Sequence, residues 1–224
     1  MHRRLFSACV LAAALYAGGP AQAAERGGLP PEGGGLPLSS HAMVHTCCTP
    51  PALKERIFAE AAASGAEFVR VDVELSAIFE ADGTRERPDW RRLDEVIRLA
   101  RRHDVELLGV LLSLPTWLSD CPERGADAPR CAARDPAEFG RLAAEVAAHA
   151  RGSIDHWEIL NEPDAEWAFE GEPEDYARML SAAHDAIETR VPEAKVLMGG
   201  VEQPERREWI ERVLGTPGAD AARK

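Results

Sequence analysis

The residues best placed to do chemistry are Asn161 and Glu162, near the end of the stretch His156-Trp157-Glu158-Ile159-Leu160-Asn161-Glu162-Pro163-Asp164. Residues 153–160 include the β-branched and aromatic types of a strand, and Pro163, which has no N–H to give a ladder, stops it. A carboxyl group therefore stands at the carboxyl end of a strand. There it can give or take a proton once partial burial or a like-charged neighbour moves its pKa toward neutrality. Asp72, Glu74 and Glu202 lie near other strand ends, so spacing does not exclude them as companions. Glu158 shares the strand face of Glu162 but lies four residues back. At about 3.3 Å per residue that is roughly 13 Å, too far to act with it.

The elements that must carry these groups follow a regular rhythm. A short first strand at 41–46 leads to a helix with Thr49 as its cap and Pro50 at its start, running to about residue 64. Residues 67–75 alternate apolar and charged, as a half-buried strand does. A helix follows Asp89, with apolar positions 90, 93, 96, 97 and 100 on one face, and 105–112 reads as a third strand. Asp135, Pro136 and Glu138 mark the start of the next helix, 139–150 continues it, and the fourth strand comes after. Helix 173–190, strand 195–200 and helix 205–214 complete the pattern.

Strand and helix alternate five times, about every 35 to 45 residues, which is the rhythm of βαβ units on a parallel sheet. No Gly-x-Gly-x-x-Gly opens a helix after the first strand and no phosphate loop is present, so a dinucleotide fold is disfavoured. The expected class is an α/β (β/α)8 barrel. A full barrel takes about 250 residues, so residues 40–224 are expected to be an incomplete one holding strands 1–5, truncated after about five units.

Composition limits the partners. The net charge of -12 argues against nucleic acid, whose affinity for proteins comes mainly from Lys and Arg neutralising phosphates. Residues 1–23 read as a secretory signal peptide, with basic Arg3-Arg4, an apolar run over 5–15 and a small-x-small site at Ala21-Gln22-Ala23. The apolar run is too short to span a bilayer, so the mature protein is expected to be secreted, extracellular or periplasmic, with no membrane attachment. Residues 24–39 form a Gly- and Pro-rich linker. Beyond Cys9, the cysteines are Cys47, Cys48, Cys121 and Cys131, an even number in an exported chain. Cys121 and Cys131 flank a loop rich in Pro, Gly and Asp and are the favoured bridge, while these spacings match no zinc site, so no metal is expected.

Asn161-Glu162-Pro163, preceded by Trp157-Glu158 in the fourth of regularly spaced units, resembles the fourth strand of the large clan of retaining glycoside hydrolases that includes the cellulase and β-xylosidase families. Phe68-Val69-Arg70-Val71-Asp72 is similar to the family's second strand, and Leu114-Pro115-Thr116-Trp117-Leu118 to the end of its third. The resemblance covers roughly residues 41–200. It implies a carbohydrate partner, a β-linked polysaccharide, oligosaccharide or glycoside cleaved with retention, and no cofactor.

By the same resemblance Glu162 is the general acid and base, Asn161 binds the sugar 2-hydroxyl, Arg70 orients the nucleophile and Trp117 stacks on a sugar face. His45, Asp72 and Trp167 complete the expected binding set. Arg70 as an ion-pair partner of Asp72 or Glu74, Trp117 as core, His45 as a hydrogen-bonded core residue and Trp167 as a loop cover stay open beside these roles. In the family the nucleophilic Glu closes the seventh strand, so here it is expected beyond Lys224 and a chain ending there is expected to be inactive. The alternative is a non-catalytic carbohydrate-binding or scaffold protein on the same fold.

Overall fold

The computed structural model describes residues 39–80, 87–203 and 207–217, all within the unit Pro37–Lys224. Five parallel strands stand side by side in chain order: β1 (Ser39–His45), β2 (Phe68–Glu74), β3 (Glu106–Leu112), β4 (Ile154–Ile159) and β5 (Lys195–Met198). Helices α1 (Pro51–Ala63), α2 (Leu75–Phe79), α3 (Arg91–His103), α4 (Pro136–His149), α5 (Pro173–Arg190) and α6 (Arg207–Gly215) alternate with them. Parallel neighbours cannot be joined by a tight hairpin, so helices must return the chain across the sheet. A doubly wound sheet reverses its strand order at a switch point, whereas a barrel wall grows in one direction. The unbroken order from β1 to β5 is that of a (β/α)8 barrel wall.

Alternation along the strands separates a dry face from a polar one. On β2, Val69, Val71 and Val73 are fully buried in the apolar core, while Arg70, Asp72 and Glu74 occupy the other face. The register aligns Val71 with Gly109 and Gly109 with Trp157, so the buried Trp157 indole lies over a residue that has no side chain. A β-carbon at Gly109 would meet Trp157 Cζ3 at 2.5 Å. In the helix layer α4 and α5 pack closely, and a β-carbon at Gly140 would run into the backbone carbonyl of Ala182. Trp90, just before α3, stacks on His149 at the end of α4 with ring centroids 4.1 Å apart. Among the described residues no helix is long and apolar enough to cross a membrane.

Three features depart from the sequence reading. Thr49 does not cap α1: the helix begins after Pro50, and the Thr49 hydroxyl turns back to accept the His45 amide at 3.0 Å. Pro50 itself takes the N-cap position and Pro51 the first helical one, so Thr49 lies one residue too far back to cap the helix. The one-and-a-half-turn α2 and a 3-10 segment, Pro122–Arg130, stand where loops were expected. Ser39, placed in the linker by composition, opens β1 instead because its backbone pairs with Phe68. The expected signal peptide and the rest of the linker lie outside the described residues. At α4 the expected cap is made, with Asp135 accepting the amides of Ala137 at 3.0 Å and Glu138 at 3.3 Å.

Candidate active site

The polar faces of the strands converge at their carboxyl ends. Arg70, on β2, reaches past β3 to β4: its Nε donates to Glu158 Oε2 and its Nη2 to Glu158 Oε1, both at 2.8 Å. The same Nη2 donates to Asn161 Oδ1 at 2.9 Å, so one guanidinium fixes a β4 carboxylate and the amide just beyond that strand. Glu158 also accepts the Gly200 amide at 2.9 Å, which ties the end of β5 to the group. The flat fork of Arg suits this two-oxygen grip, which a lysine ammonium would not reproduce.

A second cluster closes the end of β1. His45 Nδ1 lies 3.1 Å from both Asp72 Oδ2 and Glu74 Oε1. Glu74 is buried and its Oε2 accepts the Thr46 hydroxyl at 2.6 Å and the Cys47 amide at 3.0 Å. The hydrogen bond to Glu74 raises the His45 pKa, with the charges of Asp72 and Glu74 adding to it and burial opposing it. Behind the cluster the buried Lys54 donates to the Thr46 carbonyl at 3.0 Å and pairs with Glu95 at 2.8 Å. The end of β1 is thus pinned to α1 and α3.

After β4 the chain turns sharply. Leu160 and Glu162 adopt left-handed backbone, with φ of 60° and 46°, and Ser113 after β3 does the same at 55°. Such angles are uncommon in residues with a β-carbon and recur where a surrounding structure holds a functional loop in place. Glu162 is half-buried, and that burial raises its carboxyl pKa, with the charges of Glu202 and Asp164 raising it further and Arg70 opposing them. Asp164 is buried and accepts the amides of Glu202 at 2.8 Å and Gln203 at 2.9 Å, which ties the loop after β4 to the one after β5. Tyr176 completes this join, donating to the Ile159 carbonyl at 3.0 Å and accepting the Gly199 amide at 2.7 Å.

Between these groups opens a cavity of about 230 Å³ whose walls include His45, Arg70, Asp72, Asn161, Trp167 and Phe169. Trp167 is 56% exposed and presents its ring at the rim, with Nε1 3.4 Å from Glu202 Oε1. Of the residues expected to form a site, His45, Arg70, Asp72, Asn161 and Trp167 share this cavity. Glu162 lies beside it, electrostatically coupled to Arg70, and is not among the lining residues. Trp117 packs half-buried against the hydrophobic core.

Cys121 and Cys131 are joined, with Cα atoms 6.2 Å apart, and so are the adjacent Cys47 and Cys48. The first pair closes the 3-10 loop that forms one rim. From that loop Arg130 donates to the Trp167 carbonyl at 2.9 Å and pairs with Glu170 at 2.7 Å, and Arg124 also pairs with Glu170. Sequence reasoning missed Arg130 and Glu170, because their partners lie some 40 residues apart and no local spacing marks them. Groups of three possible metal ligands do occur among the described residues. One includes the joined Cys121 and Cys131, and the other, His184, Asp185 and Glu188, lies on α5 away from this cavity.

No protein-family model matches the chain, and no curated protein matches it. Solved structures do. A family 39 glycoside hydrolase from Bacteroides cellulosilyticus WH2 superposes with a TM-score of 0.53 at 16% identity, covering 70% of this chain and 31% of that one. An exo-β-1,4-mannosidase from Opitutaceae bacterium strain TAV5 gives 0.55 at 19% identity, covering 75% and 32%. A family 39 β-xylosidase from Caulobacter crescentus gives 0.55 at 15% identity, covering 80% and 43%. The chain thus spans less than half the length of each of these proteins. At such identities the likeness is one of fold, and this chain is built as part of the (β/α)8 barrel that these glycoside hydrolases share.

Proposed function

We propose that the chain is the strand 1–5 part of an exported glycoside hydrolase acting on a β-linked carbohydrate, with Glu162 as its general acid and base. The observation that carries this reading is the position of Glu162. It lies in the turn that follows β4, beside an Asn held by Arg70, and partial burial with two carboxylate neighbours raises its pKa. A carboxyl kept protonated closer to neutrality can hand a proton to the departing glycosidic oxygen, then recover it from the water that follows. Asn161, fixed through its Oδ1 by Arg70, has its amide N–H groups left to donate to a sugar hydroxyl. Trp167 offers the cavity an exposed aromatic face on which the C–H side of a sugar ring can pack. Two joined cysteine pairs suit an oxidising compartment.

Retaining hydrolysis also needs a second carboxyl about 5 to 5.5 Å from the first. The family resemblance assigns that nucleophile to a seventh strand, and the described residues hold five. Glu202, held by Asp164 and Trp167, acts in this reading on the pKa of Glu162. The test is turnover of β-xylosides, β-mannosides and β-glucosides. Glu162→Gln should lower activity on poor leaving groups by about 10²- to 10⁴-fold, yet much less on activated aryl glycosides that need little acid help. Equal loss on both substrates would refute the acid role. A second reading, carbohydrate binding without turnover, is favoured by one fact: Glu162 is not part of the cavity wall. Saturable sugar binding, unaltered by Glu162→Gln and accompanied by no hydrolysis, would select it.

A further inference from the structure

Cys47 and Cys48 are joined although no residue lies between them, in the turn that leads from β1 to α1. Stabilisation by a bridge grows with the length of chain it encloses, so a bond between neighbours constrains almost nothing of the unfolded chain. The Cys121–Cys131 bond differs. It spans ten positions, closes the 3-10 rim, and its Cys131 end is only 3% exposed. Cys48 is exposed and Cys47 half-buried, so an incoming thiolate has free access to the first pair and meets a buried residue at one end of the second.

The first pair is also bonded to the cavity wall. The Cys47 amide donates to Glu74 Oε2 at 3.0 Å, Glu74 Oε1 lies 3.1 Å from His45 Nδ1, and His45 lines the cavity. On the other side of the pair Thr49 closes the turn, its amide bonding the His45 carbonyl at 3.2 Å and its hydroxyl accepting the His45 amide at 3.0 Å. From this placement we infer that Cys47–Cys48 is a thiol-exchange site, attacked at Cys48 by a dithiol, whose oxidation state is passed through Glu74 to His45. The inference does not depend on the carbohydrate reading.

The exchange takes two displacements. In the first, one thiolate of the dithiol attacks Cys48 Sγ, a mixed disulfide forms, and the electron pair of the broken bond leaves on Cys47 Sγ, which takes up a proton. In the second, the other thiolate of the dithiol attacks its own sulfur in the mixed disulfide and releases Cys48, which is protonated in turn. Two electrons and two protons pass to the protein, and the dithiol departs as a disulfide. A monothiol must wait for a second molecule, while Cys47, the next residue in the chain, expels it by re-forming the bond. Opening the ring frees the Cys47–Cys48 backbone, so the Cys47 amide is no longer held against Glu74.

The test is graded reduction of the full chain under native conditions with dithiothreitol, and with glutathione at equal thiol concentration, followed by alkylation and peptide mapping. Cys47 and Cys48 should be alkylated at about tenfold less dithiothreitol than Cys121 and Cys131 require, and glutathione should open the pair far less. Hydrogen exchange in the selectively reduced protein should speed up over residues 45–49 and stay unchanged over the 3-10 rim. Cys47→Ser combined with Cys48→Ser should show the same fast exchange with no reductant present; should that variant fail to fold, the selectively reduced native protein still decides. The free Cys48 of Cys47→Ser should react with a maleimide faster than the free Cys47 of Cys48→Ser. Reduction of both bridges together, or of Cys121–Cys131 first, would overturn the site. Equal opening by glutathione would overturn the dithiol partner, and faster labelling of Cys47 the point of attack. Selective reduction with unchanged exchange at 45–49 would overturn the link to His45.

Discussion

Arg70 and Glu158 illustrate a pair whose partners are not separately dispensable. Both side chains are largely buried, at 17% and 10% exposure, so removing the guanidinium strands a carboxylate in a poorly solvated place. Arg70→Met should therefore cost about 3–5 kcal/mol in urea unfolding, while Arg70→Met combined with Glu158→Leu should recover much of the loss. Recovery of nothing in the double variant would mean that the packing of the arginine stem, not its charge, matters. His45 makes a pH-dependent contribution. Its folded pKa is raised above 6.5, so its stabilisation is present in full below the unfolded value and is lost as pH rises through the folded one. The stability gap between the native protein and His45→Gln should accordingly be widest below about pH 6.5 and narrow as pH rises above it, as thermal melts at a series of pH values would show. At this scale the sequence displayed Asn161 and Glu162 clearly, because the motif is contiguous and ends in proline. It did not display the partner of Arg70, which lies 88 positions away and two strands over. Side-chain spacing within β2 pointed toward Asp72 or Glu74, and the Asp72 charge does act on Arg70, but nothing local pointed to Glu158.

At the scale of elements, helix and strand positions were legible wherever periodicity and end signals agreed. Pro173 to Arg190 and the Asp135 cap are examples. The short α2 was not, since five residues offer too little periodicity to distinguish a helical turn from a loop. Nor was the contact between α4 and α5, which depends on a glycine inside a helix. Gly140 is unfavourable there by about 1 kcal/mol relative to alanine, so its presence needs a packing reason. The backbone of Ala182 supplies one. Gly140→Ala should destabilise by about 1–3 kcal/mol despite the better helix propensity, because the close approach of backbone leaves no flexible atom to yield. Thermal or urea denaturation reads this directly, and a stabilised variant would show that the helices can separate without loss.

Across the whole molecule the sheet is unevenly protected. β2, β3 and β4 are each paired on both sides and contribute fully buried residues, whereas β5 has four residues, three of them exposed. Hydrogen exchange should be slowest in β3 and clearly faster in β5, and equal protection would indicate cover over β5 that these pairings do not explain. The barrel-wall order itself was legible from the five repeats, because each strand and helix carries its own signal, but how the strand ends bend was not. The left-handed turns at Ser113 and Leu160 sit at the same level on neighbouring strands, where the Leu160 amide bonds the Leu111 carbonyl at 2.9 Å. For a lineage that carries this chain, those turns channel drift. Glycine, asparagine or aspartate suits the backbone at the half-buried Ser113, while valine or isoleucine meets a steric barrier at either position, and the buried Leu160 must in addition stay apolar. Substitution can therefore exchange the side chains around the rim while the backbone that presents Asn161 and Glu162 is kept.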